Sequence, residues 1–125
     1  MPLSASPIQI SLPAHDKQRA KQFFAQQLDL HPYAESGFGV YYQTGGTKLA
    51  IVESDSAGSA SYSLMTWLVA DIASEMAVLR ARGVVFLDYD ELDRKTVNGI
   101  YTIYSDQIAW FKDSEGNMLA LAQID

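Results

Sequence analysis

The chain has 125 residues and a mass of 13.8 kDa, with 48% hydrophobic and 19% charged residues, which is typical of one soluble globular domain. Its net charge of −6 and pI near 4.7 argue against nucleic-acid binding, which uses clustered lysine and arginine, and its lack of cysteine excludes disulfides and Cys-ligated metals. No apolar run is long enough for a membrane span and no signal peptide is recognisable, so we expect a cytoplasmic protein.

The first part of the chain predicts a strand, a helix and three more strands. The stretch "SPIQISLP" alternates and predicts a strand at about 7–12. Asp16 is suited to cap a helix, and one face of that helix collects apolar residues, namely Ala20, Phe23, Phe24 and Leu28. Three strands follow, near 32–35, at 38–44 and at 47–53. Gly45-Gly46 predicts a tight hairpin turn between the last two.

The pattern then starts again after a small, polar linker at 54–61. A strand is predicted at 62–70. Asp71 is suited to cap a second helix that ends near Gly83 and buries Ile72, Met76 and Leu79. Further strands are predicted at about 84–89, 99–104, 107–112 and 117–123.

The two parts align as an internal repeat. Setting Asp16 against Asp71 gives an offset of 55 residues, and matching "KLAIVE" to "MLALAQ" gives an offset of 70. The extra residues fit in the loop 88–99. We therefore predict an α+β fold in a single domain, 1–125, with module one at about 5–53, the linker at 54–61, and module two at about 62–125.

The closing stretch "AWFKDSEGNMLALAQ", residues 109–123, combines an aromatic strand, an acidic-glycine turn and an apolar strand. Together with the repeat it resembles the vicinal-oxygen-chelate superfamily, which includes glyoxalase, extradiol dioxygenases and bleomycin-binding proteins. The resemblance implies two βαβββ modules that form an open, mostly antiparallel, barrel-like sheet with a concave cleft. Within the turn, Gly116 is suited to a positive φ, and Asp113 to accepting backbone N–H groups.

The resemblance also implies four positions that hold a divalent metal in the enzymes of this superfamily. Carried over, they are Gln9, Ala50, Leu64 and Ala120. Only Gln9 has a donor atom, and a neutral amide is a weak ligand by itself. We therefore predict no metal, no cofactor and no catalytic residue, and interpret Ala120 as an empty position that makes room for a ligand.

Strand alternation predicts which residues face the cleft. The predicted ligand-binding residues are Gln9, Ser11, Ala50, Leu64, Thr66, Leu68, Tyr101, Trp110, Met118 and Ala120. The opposite faces should pack beneath the helices, through Ile10, Leu12, Met65, Trp67, Val69, Leu119 and Leu121. Tyr41 or Tyr42 is a further candidate for the cleft wall. The alternative is that the aromatic residues serve barrel packing or a dimer interface.

Other chemical motifs are weaker. His15 and His31 flank the first helix and are interpreted as surface or capping residues. The cluster Lys17, Arg19 and Lys21 is interpreted as a solvated face. The acidic stretch "DYDELD" lacks the glycine of a calcium loop. The loop 88–99 carries Tyr89 among mixed charges, and we hypothesise that it closes over the cleft.

These observations favour a metal-free protein of the bleomycin-resistance-like kind that binds a small organic ligand. The acidic surface favours a cationic or amphipathic ligand. The resemblance implies a homodimer. The alternatives are a glyoxalase- or dioxygenase-related enzyme with a divergent active site, and an interaction domain without a ligand.

Overall fold

A computed structural model describes residues 2–124 of the chain. In that range two helices and ten strands form two open sheets, which confirms the predicted α+β class. The first and last residues of the predicted 1–125 domain lie outside the described residues. None of the helices between residues 2 and 124 is long and apolar enough to cross a membrane.

Module one follows the predicted order closely. Its elements are β1 (Gln9–Ala14), α1 (Lys17–Gln27), β2 (Ala34–Glu35), β3 (Gly39–Thr44) and β4 (Thr47–Glu53). The sheet order is β1-β4-β3-β2, with β1 parallel to β4 and the other pairs antiparallel. A short 3₁₀ turn, Leu3–Ala5, precedes it.

Module two repeats this topology with an addition. Its elements are β5 (Met65–Leu68), α2 (Ile72–Ala81), β6 (Asp90–Glu91), β7 (Arg94–Val97), β8 (Ile100–Ile103), β9 (Asp106–Lys112) and β10 (Met118–Gln123). The sheet order is β5-β10-β9-β8-β7-β6, and β5 is parallel to β10. The repeated unit is therefore β5-β10-β9-β8, and the added hairpin β6-β7 extends its far edge.

Two predictions for module two were wrong in detail. The strand expected at 84–89 is irregular backbone that makes a single bridge between Phe86 and Phe111. The segment 88–99, expected to be a loop, contains the β6-β7 hairpin. Leu92 and Asp93 form its turn, between the paired residues of the two strands. Here alternation was too short to detect, because each strand has only two to four residues.

Both helices begin at the predicted caps. The Asp16 carboxylate accepts the backbone N–H groups of Gln18 and Arg19, and the Asp71 carboxylate accepts that of Ser74. The predicted inner faces are buried at Ala20, Phe24, Ile72, Met76 and Leu79, while Phe23 and Leu28 are half-buried against the core.

The core lies between the helices and the convex faces of the sheets. Leu12, Leu119 and Leu121 are buried as predicted, and Ile10, Met65, Trp67 and Val69 pack against them. Buried side chains from both modules form one continuous cluster. The concave faces of the sheets are therefore not needed for packing against the helices.

The turn between β9 and β10 joins module two to module one. Asn117 is 2% exposed, and its Nδ2 donates to the Pro13 carbonyl (2.7 Å) and to Asp113 Oδ2 (2.9 Å). Its Oδ1 accepts the Gly58 N–H (3.0 Å). Asp113 Oδ1 accepts the N–H groups of Glu115 and Asn117, as predicted for this turn. Asn117 thus connects β1, the linker and the turn.

Glu115 makes a second connection across the modules. The Glu115 carboxylate accepts the Asp16 N–H at 2.9 Å, and Arg19 Nε and Nη2 at 2.8 and 3.0 Å. The Glu115 side chain has no exposed surface, whereas the Arg19 side chain is 53% exposed. Hydrogen bonds from Arg19 lower the pKa of Glu115 to about 2. The carboxylate therefore stays ionised as a bidentate partner.

The basic cluster at the start of α1 was interpreted as a solvated face, and its side chains do remain partly exposed, but each also has a specific partner. Besides the Arg19 pair, Lys17 donates to the Gly37 carbonyl at 3.0 Å, and Lys21 lies 2.9 Å from the Glu35 carboxylate. All three cations contact a specific partner that is distant along the chain, and a local sequence pattern does not reveal such pairs.

The segment 54–61 is also more ordered than its composition suggested. Ala57 is buried, and Gly58 adopts φ +78° against the turn of module two. A Cβ at Gly58 would lie 3.0 Å from the Glu115 carbonyl oxygen, so this contact requires glycine. The linker is thus part of the contact between modules.

Candidate functional site

Equivalent rows of side chains cross the concave faces of the two sheets. In module one the row is Ser11–Ala50–Tyr41, and in module two it is Thr66–Ala120–Trp110. Residues paired across strands point to the same face. The pairs Ser11/Thr66 and Ala50/Ala120 are separated by the offsets of 55 and 70 residues that the sequence indicated.

The four carried-over metal positions offer no ligand set. Ala50 and Ala120 are 0% and 1% exposed, and Leu64 is apolar, so Gln9 is the single donor among the four. Within residues 2–124 no three His, Asp or Glu side chains are grouped to hold a metal ion. The residues at these four positions therefore do not fit a divalent metal ion.

A cluster of aromatic side chains lies on the concave face of module two. The Trp110 ring centroid is 5.8 Å from that of Tyr101 and 5.5 Å from that of Tyr89, which meets it edge-on at 85°. The guanidinium of Arg94 lies over both Tyr89 and Trp110, with Cζ 4.8 and 5.3 Å from the ring centroids. All four side chains are half-buried. We call these four residues the aromatic cluster.

The added hairpin positions half of this cluster. Tyr89 makes two hydrogen bonds of 2.9 Å with Thr96. Its backbone N–H donates to Thr96 Oγ1, and its carbonyl oxygen accepts the Thr96 N–H. The Tyr101 hydroxyl donates to the Asp93 carbonyl at 3.4 Å. Arg94 and Tyr89 are therefore held by the one segment that module one lacks.

Seven of the ten predicted ligand-binding residues lie on this side of module two, namely Leu64, Thr66, Leu68, Tyr101, Trp110, Met118 and Ala120. Leu64 is joined to Met118 by a backbone hydrogen bond of 2.9 Å. Leu68 is 76% exposed, which is high for an apolar side chain. Gln9, Ser11 and Ala50 lie together on the sheet of module one. Tyr89 and Arg94 were missing from the predicted set, although the position of Tyr89 had been noted.

Ala120 was interpreted as an empty position that makes room for a ligand, but the structure shows no open space there. Because Ala120 is almost completely covered, it does not present an open space to solvent. Its cross-strand neighbour Thr66 is exposed, and its other neighbour Trp110 is half-buried. The accessible part of this face is thus formed by Thr66, Leu68 and the aromatic cluster, with Ala120 beneath.

Two cavities lie away from the aromatic cluster. One, of about 230 Å³, is on the convex side, between Leu28 and Leu30 of module one and Trp67 of module two. The other, of about 240 Å³, lies where Ile10 and Leu49 approach Leu64 and Thr66. Only the second includes predicted ligand-binding residues.

Both histidines have structural partners. His15 Nε2 lies 2.9 Å from the Ala57 carbonyl oxygen, and His31 Nε2 lies 3.2 Å from Asp29 Oδ1. Neither belongs to the aromatic cluster. This agrees with their interpretation as surface residues around the first helix.

Comparison with known proteins gives no match to any protein-family model and none to a curated protein sequence. Solved structures do match over nearly the full chain. A bleomycin-binding protein in complex with bleomycin has a TM-score of 0.71 and 16% identity, covering 97% of this chain and all of the other. TnmS3, an antibiotic-binding protein from Streptomyces sp. CB03234, has a TM-score of 0.67 and 22% identity, covering 97% of both chains.

A third similar structure is a glyoxalase/bleomycin resistance protein from Streptomyces sp. CB03234, with a TM-score of 0.66 and 22% identity. The match covers 94% of this chain and all of the other. The chain therefore has the vicinal-oxygen-chelate fold of the glyoxalase and bleomycin-resistance proteins, as its closing motif and internal repeat had indicated.

Proposed function

We propose that this protein binds a small, planar organic molecule on the concave face of module two, without a metal ion. The aromatic cluster carries the proposal, because a half-buried tryptophan flanked by two tyrosines offers a stacking surface for an aromatic ring. Exposed Leu68, two strands away on β5, adds apolar surface to the same face of the sheet. Two similar structures are of proteins described as binding bleomycin or an antibiotic, which supports this class of ligand.

The metal-free part of the proposal rests on donor chemistry. A Lewis-acid site needs several anionic or imidazole ligands that converge, and the equivalent positions carry two alanines and a leucine. Metal analysis of the purified protein tests this part. We expect less than 0.1 equivalent of zinc, iron or manganese, and no change in ligand affinity after EDTA treatment. Stoichiometric metal that is required for binding would favour the enzyme alternative.

The chain's two tryptophans allow a direct binding test, since Trp110 lies on the concave face and Trp67 stacks on Phe111 on the convex face. In Trp67→Phe, Trp110 is the only tryptophan, and we expect bleomycin or N-phenyl-1-naphthylamine to quench its fluorescence. In Trp110→Phe, the remaining Trp67 should respond weakly. Both variants keep an aromatic ring, so stability should change little.

Loss of the ring should weaken binding. We expect Trp110→Ala to lower affinity about tenfold, and Thr66→Trp to block the face without disturbing the covered Ala120. Thr66→Ser is the matched control and should bind normally. The proposal fails if no planar compound binds, or if binding is unaffected in both Trp110→Ala and Thr66→Trp.

Two further predictions belong to this proposal. A homodimer would bring a second chain over the open concave face, and light scattering during the titration would detect it.

The segment 88–99 was hypothesised to close over the cleft. Hydrogen exchange of its amides should then slow when ligand is bound, and unchanged exchange would remove this role.

A further inference from the structure

We propose that Arg94 makes this site selective for planar ligands that carry an acidic group, such as a carboxylate, sulfonate or phenolate. This inference rests on the proposed function, because it concerns the ligand of the same aromatic cluster. It reverses the charge that the acidic composition of the chain had favoured.

The position of the guanidinium is the first observation. Arg94 is half-buried, and its Cζ lies 4.8 Å from the Tyr89 ring centroid and 5.3 Å from that of Trp110. Contact with ring faces restricts a long side chain without using its N–H groups, which lie at the edge of the guanidinium plane. The stacked arginine thus retains its hydrogen-bonding capacity.

The lack of a polar partner is the second observation. Within residues 2–124, no hydrogen bond or ion pair reaches the Arg94 guanidinium. The other three arginines of the chain each have one: Arg19 pairs with Glu115, Arg80 donates to the Asn98 carbonyl, and Arg82 lies 3.7 Å from Asp29. A cation that is partly withdrawn from water and has unused donors is a ready partner for an anion.

The acidic residues of the hairpin do not fill this role. Glu91 is the backbone register partner of Arg94, yet no ion pair joins their side chains. Asp88 accepts a hydrogen bond from Thr96, and Asp90 lies 3.9 Å from Lys95. The Asp93 backbone carbonyl accepts the Tyr101 hydroxyl, and no ion pair joins the Asp93 carboxylate to Arg94. Arg94 is therefore the charged group that lies nearest to a ligand stacked on Trp110.

For the charge of the ligand, direct contact with Arg94 should outweigh the long-range field of the net negative charge. The net charge of −6 acts through solvent and is screened over about 8 Å at physiological salt. Arg94 touches the proposed stacking surface, where a guanidinium and a planar anion can form two parallel hydrogen bonds. A cationic ring on Trp110 would instead lie beside a like charge.

Two dyes with the same skeleton test the inference. 8-Anilino-1-naphthalenesulfonate carries a sulfonate, and N-phenyl-1-naphthylamine is its uncharged parent. Affinities are measured by fluorescence titration with the wild type, Arg94→Gln, Arg94→Lys and the control Lys95→Gln. Lys95 is the adjacent exposed cation on the same hairpin. The titration is repeated in Trp110→Ala, and only binding whose dissociation constant rises in that variant is assigned to the aromatic cluster.

We expect the wild type to bind the sulfonate about tenfold more tightly than the neutral dye. Arg94→Gln should remove this preference and leave the neutral dye within twofold, while Arg94→Lys keeps part of it and Lys95→Gln keeps all of it. Equal binding of both dyes, or an equal loss of both in Arg94→Gln, would overturn the role of Arg94 while the binding function stands. Failure of both dyes to show Trp110-dependent binding would overturn the binding function itself.

Discussion

The two modules share one topology but present different concave faces. Module one places Ser11, Ala50 and Tyr41 in a row, and module two places Thr66, Ala120 and Trp110 in the equivalent row. The buried convex faces match more closely, since Tyr42 opposite Leu49 corresponds to Phe111 opposite Leu119. Burial therefore restricts the face that builds the fold and leaves the other face free to differ.

The larger difference between the modules is what module two adds. Its segment 88–99 contributes Tyr89 and Arg94 to the aromatic cluster. Its acidic turn contacts module one through Glu115 and Asn117. The turn of module one is the short Gly45-Gly46 pair. Module two therefore carries both the candidate site and the main polar contacts between the modules.

The largest expected effect comes from Asn117→Ala. Its side chain bonds to the Pro13 carbonyl, the Gly58 N–H and Asp113 Oδ2, so its loss removes one hydrogen bond from each of these three groups. We expect the free energy of unfolding to fall by about 3–5 kcal/mol, measured by urea denaturation. Gln26→Ala, at an exposed position on α1, should change it by less than about 0.5 kcal/mol. A loss below about 1 kcal/mol for Asn117→Ala would show that the turn does not hold the modules together.

Glu115→Gln should destabilise the protein less, by about 1–2 kcal/mol at pH 7, because its partner Arg19 is half-exposed and water screens the pair. The folded-state pKa of Glu115, about 2, lies below its ordinary value of 4.5. Its stabilisation is therefore present above pH 4.5 and lost as the pH falls towards 2.

The pH dependence of stability that is linked to Asp113 has the opposite sign to that of Glu115. Burial raises the pKa of Asp113, so the stabilisation linked to its protonated form is lost as the pH rises through that raised value. In urea denaturation between pH 2 and 5, the wild type should lose more stability on acidification than Glu115→Gln does. Parallel pH profiles for the two proteins would contradict the assignment of this dependence to Glu115.

The functional difference between the modules is tested at equivalent positions. Trp110→Ala should lower the affinity for a planar ligand about tenfold, or about 1.4 kcal/mol, because it removes the centre of the aromatic cluster. Tyr41→Ala, at the equivalent position in module one, should lower it less than twofold. Fluorescence titration with Trp110 as the reporter measures the Tyr41 variant. Equal losses would place the ligand between the two sheets instead.

The smallest expected effect is at Tyr42. Its hydroxyl is buried without a hydrogen-bond partner within residues 2–124, and burial raises its pKa to about 12. Because module two has phenylalanine at the equivalent position, Tyr42→Phe should leave stability within about 0.5 kcal/mol of the wild type or raise it. Tyr42→Leu is the control and should cost about 1–3 kcal/mol, since it loses the ring that packs 5.1 Å from Phe24. A clear loss in Tyr42→Phe would mean that the hydroxyl has a partner in solution, such as a bound water.

Sequence patterns determined the parts of this protein that depend on near neighbours. The caps Asp16 and Asp71 act two or three residues away, strand alternation has a period of two, and the turn depends on Gly116, which adopts φ +84°. Those signals predicted the element order of module one, the internal repeat, the fold and the faces of most strands. They also identified two alanines where a metal site would need donors.

Only the tertiary structure decided which distant residues meet. Arg19 and Glu115 are 96 residues apart, and Asn117 and Pro13 are 104 apart, so neither pair leaves a local pattern. The short strands of the hairpin were likewise too brief to be recognised, although they bring Arg94 onto Trp110. The sequence thus predicted the face of the candidate site, while long-range packing covered Ala120 and placed the Arg94 guanidinium in the aromatic cluster.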